Sequence, residues 1–496
     1  MQILRETKSV CPVCVKVLNT KIYEEGGVVY MEKVCPEHGK FRDVYWSDYE
    51  LYKWAEKYYG EGTPIRNPQK KFENSCFFNC GLCTNHKSHT VLAIIDVTSR
   101  CNLRCPECFA SSGGKEPVYE PTKEQIRGML KRIRSNDPPP RGLQFSGGEP
   151  TLRDDLPDII RMAKEEDFDH VEVNTNGIRI ADDVDYFRSL VEAGASTFYL
   201  QFDSLRPEAI KILRGADLLE KKLRVIENAR KIGLESIVLV VTLAKSVNDG
   251  DLGDIINFAV KNSDVIRCVN VQPISFAGRG AEMDPLKYRI TIPDFMKLVE
   301  KQTNGAVKSP DDWRPVPWPI PIAKAVGAMK GKVYPEFSTA PWCGVATFLL
   351  PDDGGYKPIT RVVDVDGFAG AMSKAYEDFR GGKKLRGKLR MAGSLRYFKL
   401  GLVKDLAWGV VTSGSYDELG KLMRRVVMVG AMHFMDVYNF DLYRVERCVI
   451  HYATPDPEHP VVPFCSMNSY WRPIIEKKYK IPHEEWLKRS AKQKAA

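Results

Sequence analysis

The chain has 496 residues, 43% hydrophobic and 28% charged, enough to bury a sizeable core and too apolar for a disordered polymer. Lys and Arg outnumber Asp and Glu by 73 to 64, a net charge of +9 that suits an acidic or phosphorylated partner without choosing between nucleic acid, lipid headgroup and small substrate. No apolar run approaches the roughly 20 residues a membrane helix needs, and residues 1–8 lack a signal peptide's apolar core, so the expected location is the cytoplasm.

Residues 1–60 hold two Cys-Pro turns, Cys11-Pro-Val-Cys14 and Cys35-Pro-Glu-His38, separated by alternating segments such as 21–31. This predicts a small ribbon with too few large side chains to own a core, closed by one mononuclear zinc or rubredoxin-like iron on Cys11, Cys14, Cys35 and His38. A Cys-rich linker over 61–91 follows. It contains Cys76, Cys80 and Cys83 in x3, x2 spacing, with His86, His89 or a distant group as fourth ligand. Nine of the 13 cysteines precede residue 110, and such clustering in a cytoplasmic chain reads as metal ligation rather than disulfides.

From 92 to 300 the pattern repeats strand then helix. Strands are expected at 92–97, 142–146, 170–174, 197–202, 236–243 and 265–272, with helices at 122–134, 155–165, 183–193, 207–213, 219–231 and 251–261. Six strands joined by helical crossovers predict an α/β fold, an incomplete parallel (β/α)6 barrel whose active site lies at the strands' carboxyl ends. Residues 301–496 change texture: a Pro/Trp segment at 313–321, an apolar strand near Phe348, a basic stretch from 374 to 404 ending at Lys404, and a terminus at 488–496 expected to fray. They are expected to form an α+β domain with auxiliary-cluster and substrate roles.

Directly after the first barrel strand come Cys101-Asn-Leu-Arg-Cys105-Pro-Glu-Cys108, three thiolates able to wrap one corner of a 4Fe-4S cube and leave one iron open; zinc with an open position usually has His or carboxylate beside it. The second strand ends in Gly147-Gly148-Glu149-Pro150, a turn that permits close backbone approach and is expected to turn its carboxylate to the barrel mouth. Together these motifs resemble the radical S-adenosylmethionine (SAM) superfamily over about 92–275. The resemblance implies that SAM chelates the open iron, that Gly147 to Pro150 meet its methionine amino group, and that a 5'-deoxyadenosyl radical abstracts hydrogen from an unactivated carbon. Asn176, Asp203, Ser204 and Gln272, on the same rim as Thr175 and Gln201, are candidates for ribose and adenine contacts, or else caps of strands and helices. The position before the third cysteine, usually aromatic in this superfamily, is Glu107, and Phe109 is the expected substitute.

The Cys76 group then reads as an auxiliary 4Fe-4S cluster, and Cys268, Cys343, Cys448 and Cys465 as a second, with ordinary buried cysteines as the alternative. The order of motifs, with the segment 351–364 and the Cys448 to Cys465 block, resembles the archaeal tetraether lipid synthase. That likeness implies carbon-carbon bond formation between archaeal diether phospholipid chains, a reduced ferredoxin or similar electron donor, and peripheral contact at the inner membrane face through the basic stretch. Two rivals stand beside it: a related radical enzyme methylating a pterin, and a Cys-rich zinc protein binding nucleic acid.

Overall fold

The computed structural model describes residues 2–488 apart from 74, 115, 116, 353, 354, 400 and 414; the 489–496 part of the expected frayed end and the Lys404 side chain lie outside the described residues. Strands β1 (Gln2–Val10), β2 (Val17–Glu25), β3 (Val28–Cys35) and β4 (Gly39–Trp46) form an antiparallel ribbon in sequential order. Gly26 and Gly27, at φ 62° and 80°, make the tight β2–β3 turn.

The second sheet is built on β5 (Leu92–Thr98), β6 (Gly142–Gly147), β7 (His170–Thr175), β8 (Thr197–Gln201), β9 (Ile237–Leu243) and β10 (Ile266–Pro273). All neighbours among them pair parallel. Alternation assigns the faces: Leu143, Phe145, Val171, Val173, Phe198 and Leu200 pack outward into the helical layer as part of the main core. Gln144, Glu172 and Asn174 point the other way into the lumen, where Gln144 donates to Glu172 at 3.0 Å. The helices carry their own start signals, as at Lys123–Arg134, where Thr122 and Gln125 form a capping box and Ile126, Met129, Leu130 and Ile133 are buried.

Late strands extend the sheet beyond the six expected. After β11 (Arg314–Pro315), β12 (Gly344–Asp352) and β13 (Gly355–Pro358), β14 (Val427–Met432) pairs parallel with β10, and β15 (Ile450–Ala453) pairs parallel with β5, followed by β16 (Val461–Pro463). Eight parallel strands therefore run in the order β14-β10-β9-β8-β7-β6-β5-β15, flanked by antiparallel β12 and β16. The barrel stays open at one seam, and the chain crosses that seam once, between β14 and β15. The ribbon braces this crossing. Asp441 accepts from Arg5, from Thr7 at 2.7 Å and from Tyr45 at 2.8 Å, and Lys33 donates to the carbonyls of Val437 and Tyr438 at 2.8 and 2.9 Å. Burial pushes the Asp441 carboxyl up, but Arg5 and the hydroxyls of Thr7 and Tyr45 outweigh it and hold it below the usual range.

Candidate functional site

In the ribbon, the two Cys-Pro turns meet. The ligand atoms of Cys11, Cys14, Cys35 and His38 all lie within 4.8 Å of one another. Cys14 and Cys35 sulfurs are 3.8 Å apart and Cys35 Sγ is 3.5 Å from His38 Nδ1. Metal–sulfur bonds of about 2.3 Å in a tetrahedron put neighbouring sulfurs about 3.8 Å apart, so this cage is sized for one ion. Burial raises the Cys11 thiol, yet the N–H groups of Cys14 and Val13 outweigh it and hold it below its ordinary value, as a metal-ligating thiolate requires.

At the barrel, the loop after β5 is fixed by groups distant in sequence. Arg279 donates to the carbonyls of Cys105 (3.0 Å) and Ser112 (2.7 Å), and its N–H donates to Cys108 O (3.0 Å). Gly278 lies against this loop at φ 56°, where a Cβ would fall 2.4 Å from Phe109 O. Cys101 is raised to about 12 by burial, with Glu149, Cys105 and Cys108 adding to the shift. Cys105 is raised to about 11 by burial against the pull of Arg214. The three thiols share one short loop, and among the described residues they do not form a group of ligand atoms within 4.8 Å. A cavity of about 490 Å³ opens beside Cys101, lined by Arg100, Asn102, Phe109, Gly113, Asn468 and Trp486 among others, within the range of ligand pockets.

The Gly-Gly-Glu-Pro turn presses onto that loop. A Cβ on Gly147 would fall 2.2 Å from Thr98 O, and one on Gly148 2.2 Å from Arg100 O. The N–H groups of Gly148 and Glu149 donate to those same two carbonyls at 2.7 Å, and Pro150 opens a short 3-10 turn. The Glu149 carboxylate does not turn to the mouth as the sequence suggests. It is buried and accepts from Thr151 N and Oγ1 (3.1 and 2.5 Å), Thr175 Oγ1 (2.7 Å) and Asn176 N (2.7 Å). Asn176 in turn donates to Asn102 in the cysteine loop at 2.7 Å, so Glu149 and Asn176 tie strands two and three to that loop.

Asp203 and Ser204 are internally engaged. Arg214 grips both Asp203 oxygens at 2.6 Å and also pairs with Glu107, Gln201 (2.7 Å) and Thr242 (3.0 Å), while Ser204 donates to Asp251 at 2.5 Å. Glu107 is thus half of a buried ion pair, and Phe109 packs on Phe464 at 5.9 Å. Gln272 lies near the carboxyl end of β10, opposite Thr242. Arg214, Arg279 and Gly278 were not singled out from sequence. Basic residues and glycines at helix ends and in loops carry no local mark of the partner they will meet.

Cys76, Cys80 and Cys83 are buried together. Cys80 is raised to about 12 by burial, against Ser466. Neither histidine offered as a fourth ligand turns to them: His86 Nε2 is 2.8 Å from Cys448 O, and His89 Nδ1 2.9 Å from Thr63 O. Cys76 Sγ donates instead to the Glu446 carboxylate at 3.6 Å. Of the four late cysteines, three converge. Cys343, Cys448 and Cys465 line one cavity with His433 and Arg444, but Cys268 sits among Val238, Val240 and Tyr199 on the lumen face of β10. The expected four-cysteine set is corrected there: the register of β10 fixes Cys268 in mid-strand, whereas the other three lie at the ends of strands bordering the seam.

Comparison with known proteins now decides the family. The Radical SAM superfamily model matches residues 95–259, and the HMPTM N-terminal zinc ribbon domain matches residues 3–47. The 7,8-dihydro-6-hydroxymethylpterin dimethyltransferase of Methanocaldococcus jannaschii is 44% identical over 497 residues, covering 97% of both chains. This chain belongs to that relative's family. It is a radical SAM enzyme, using SAM and a 4Fe-4S cluster, with a mononuclear metal in its ribbon.

Outside the family, the GTP 3',8-cyclase of Listeria monocytogenes is 30% identical over 37% of this chain and 55% of its own. The solved structure of Streptococcus suis SuiB bound to its precursor peptide superposes with a TM-score of 0.36 at 19% identity, over 44% of this chain and 47% of that one. The family relationship corrects the expected tetraether lipid synthase, the archaeal phospholipid substrate and the membrane contact, since the full-length relative bears the name of a pterin enzyme. Part of the basic stretch is also paired within the protein: Arg390 and Arg386 lie 2.7 and 3.4 Å from Asp378. No helix among the described residues is long and apolar enough to cross a membrane.

Proposed function

We propose that this enzyme methylates a pterin-class substrate by radical chemistry started at the Cys101 loop, the radical removing a hydrogen atom from the substrate and a second SAM, with one electron from the reductant, supplying the methyl and leaving as S-adenosylhomocysteine. The observation that carries this reading is the likeness to the dimethyltransferase across 97% of both chains. Cys101, Cys105 and Cys108 hold the SAM-cleaving cluster, and the x3, x2 spacing beside a Gly-Gly-Glu-Pro turn supports that assignment. When bound, a cluster with one iron free of protein ligand supplies the electron that splits the sulfonium of SAM into methionine and a 5'-deoxyadenosyl radical.

The chain's own residues position and shield. Arg279 and Gly278 fix the cysteine loop from outside, and Asn176 and Glu149 fix it from the barrel side. Arg214 sets a fixed positive charge beside Cys105, itself held by Asp203 and Glu107. Gly147 to Pro150 carry the methionine end of SAM, and the rim from Asn176 to Gln272 faces its nucleoside. Asp203 and Ser204 serve there as positioning residues, because their side chains are engaged within the protein. Cys76, Cys80 and Cys83 hold an auxiliary cluster, and Cys343, Cys448 and Cys465 hold a second one at the seam.

The test is anaerobic incubation with SAM, a chemical reductant and 7,8-dihydro-6-hydroxymethylpterin, read by mass spectrometry. Product heavier by one or two methyl increments, absent without reductant, is expected. Unchanged pterin alongside abundant 5'-deoxyadenosine would overturn the substrate and leave the radical chemistry standing.

A further inference from the structure

The seam of the open barrel contains a cavity of about 40 Å³, several times the roughly 10–15 Å³ that one water needs. Its walls come from both edges of the sheet. Cys343 precedes β12, and Met432 and His433 leave β14 on one side; Cys448 precedes β15 and Cys465 follows β16 on the other. Most of the remaining lining is apolar or aromatic, with Phe434 and Phe464 tilted at 31° and 4.1 Å between ring centroids.

Three polar side chains enter this shell: Thr339, whose buried hydroxyl has no hydrogen-bond partner, Arg444 and His433. Arg444 is buried and donates from Nε to Cys343 Sγ at 3.3 Å. His433 is 2% exposed, and its Nε2 has no hydrogen-bond partner. The His433 backbone is held beside Cys343, donating to the Cys343 carbonyl at 3.0 Å, and His433 lines the same cavity as the three cysteines. An imidazole nitrogen buried without a partner is unfavourable, a penalty that coordination would remove.

Spacing favours a cluster over a single ion. In the ribbon the ligand atoms all fall within 4.8 Å of one another; among the described residues, no three of Cys343, Cys448, Cys465 and His433 form such a group. A cubane spreads its ligands over four separate irons and does not require them within that distance.

We infer that His433, not Cys268, is the fourth protein ligand of a 4Fe-4S cluster held by Cys343, Cys448 and Cys465 across the barrel seam. This inference rests on the seam-cluster assignment above and is independent of the pterin substrate. With four protein ligands the cluster has no iron free for SAM, which assigns it to electron relay or to stapling the seam. Arg444 donating to a ligand sulfur would favour its reduced form.

The test uses the full-length chain, reconstituted anaerobically with iron and sulfide, with zinc in the ribbon, reduced, and without SAM. Pulsed electron paramagnetic resonance should show a strongly coupled nitrogen that vanishes in His433→Cys while the iron content per chain stays constant. Cys343→Ala/Cys448→Ala/Cys465→Ala should lose one cluster's complement of iron and sulfide, whereas Cys268→Ala should lose none. A wild-type spectrum without strong nitrogen coupling, or one unchanged in His433→Cys, would overturn the histidine ligand. Full iron retention in the triple variant would overturn the cluster itself. Should that variant fail to fold, the comparison of wild type with His433→Cys still decides the ligand. Loss of 5'-deoxyadenosine is not the readout, so failure here stays distinguishable from failure of the Cys101 assignment.

Discussion

The ribbon cage and the barrel loop both gather cysteines, but different forces hold them. In the ribbon, four ligand atoms already stand at the spacing of one ion, on a four-stranded ribbon from Gln2 to Trp46 whose hydrophobic cluster at that end is little more than Cys11, Leu18 and Cys35. There the metal is structure. In the barrel, the three thiols sit on a loop locked by Arg279, Gly278, Glu149 and Asn176, over a core extending through eight parallel strands. There the scaffold stands by itself, and one corner of the cube can be left free for SAM.

Breaking each site separately should give opposite phenotypes. The largest structural loss is expected in the ribbon. Cys14→Ser/Cys35→Ser should release its metal and make residues 2–47 protease-sensitive, because structural zinc contributes on the order of 10 kcal/mol in small metal-dependent domains; limited proteolysis with mass mapping checks this. Next comes Arg214→Met, which leaves Glu107 and Asp203 facing each other without their shared cation. Breaking a buried ion pair in this way should cost about 3–5 kcal/mol, seen as a lower denaturation midpoint and poorer iron retention. Glu149→Gln removes a charged acceptor of four hydrogen bonds and should cost about 1–3 kcal/mol, with weaker SAM binding by calorimetry.

A smaller effect sharpens the contrast through pH, at the junction of ribbon and seam crossing. The Asp43 carboxyl, which Arg289 touches at 2.9 Å, is raised by burial, with Asp436 adding to it and Arg289 opposing, from 3.8 to about 6. The folded chain therefore keeps this proton where the unfolded chain has lost it, and this group's contribution to stability falls as pH rises from about 4 to about 6. Asp43→Asn should flatten that part of the stability profile relative to wild type in denaturant titrations.

Much of this architecture was legible in the chain. The strand-helix alternation from 92 to 275, the knuckles and the x3, x2 loop depend on local patterns, and their positions agree with the strands and turns observed. The seam was not legible. Val427–Met432 and Ile450–Ala453 are short apolar runs, and which sheet edge each joins is a tertiary choice that periodicity does not encode. Cys268 was misplaced because counting thiols ignores register: third in β10, it faces the lumen with Asn270 and Gln272. The substrate was misread because no quoted residue reports on what fills the barrel, and a basic run resembles a headgroup site until its partners, such as Asp378 for Arg390, are visible.

We propose that radical chemistry starts at the open triad and nowhere else. The most direct measurement is 5'-deoxyadenosine formed per chain under anaerobic reduction, in wild type and in Cys101→Ala/Cys105→Ala/Cys108→Ala, each reconstituted and assayed for iron. The account predicts abundant product from wild type and none above background from the triple variant, which still keeps its ribbon metal and most of its other iron. Undiminished 5'-deoxyadenosine from the triple variant would contradict it.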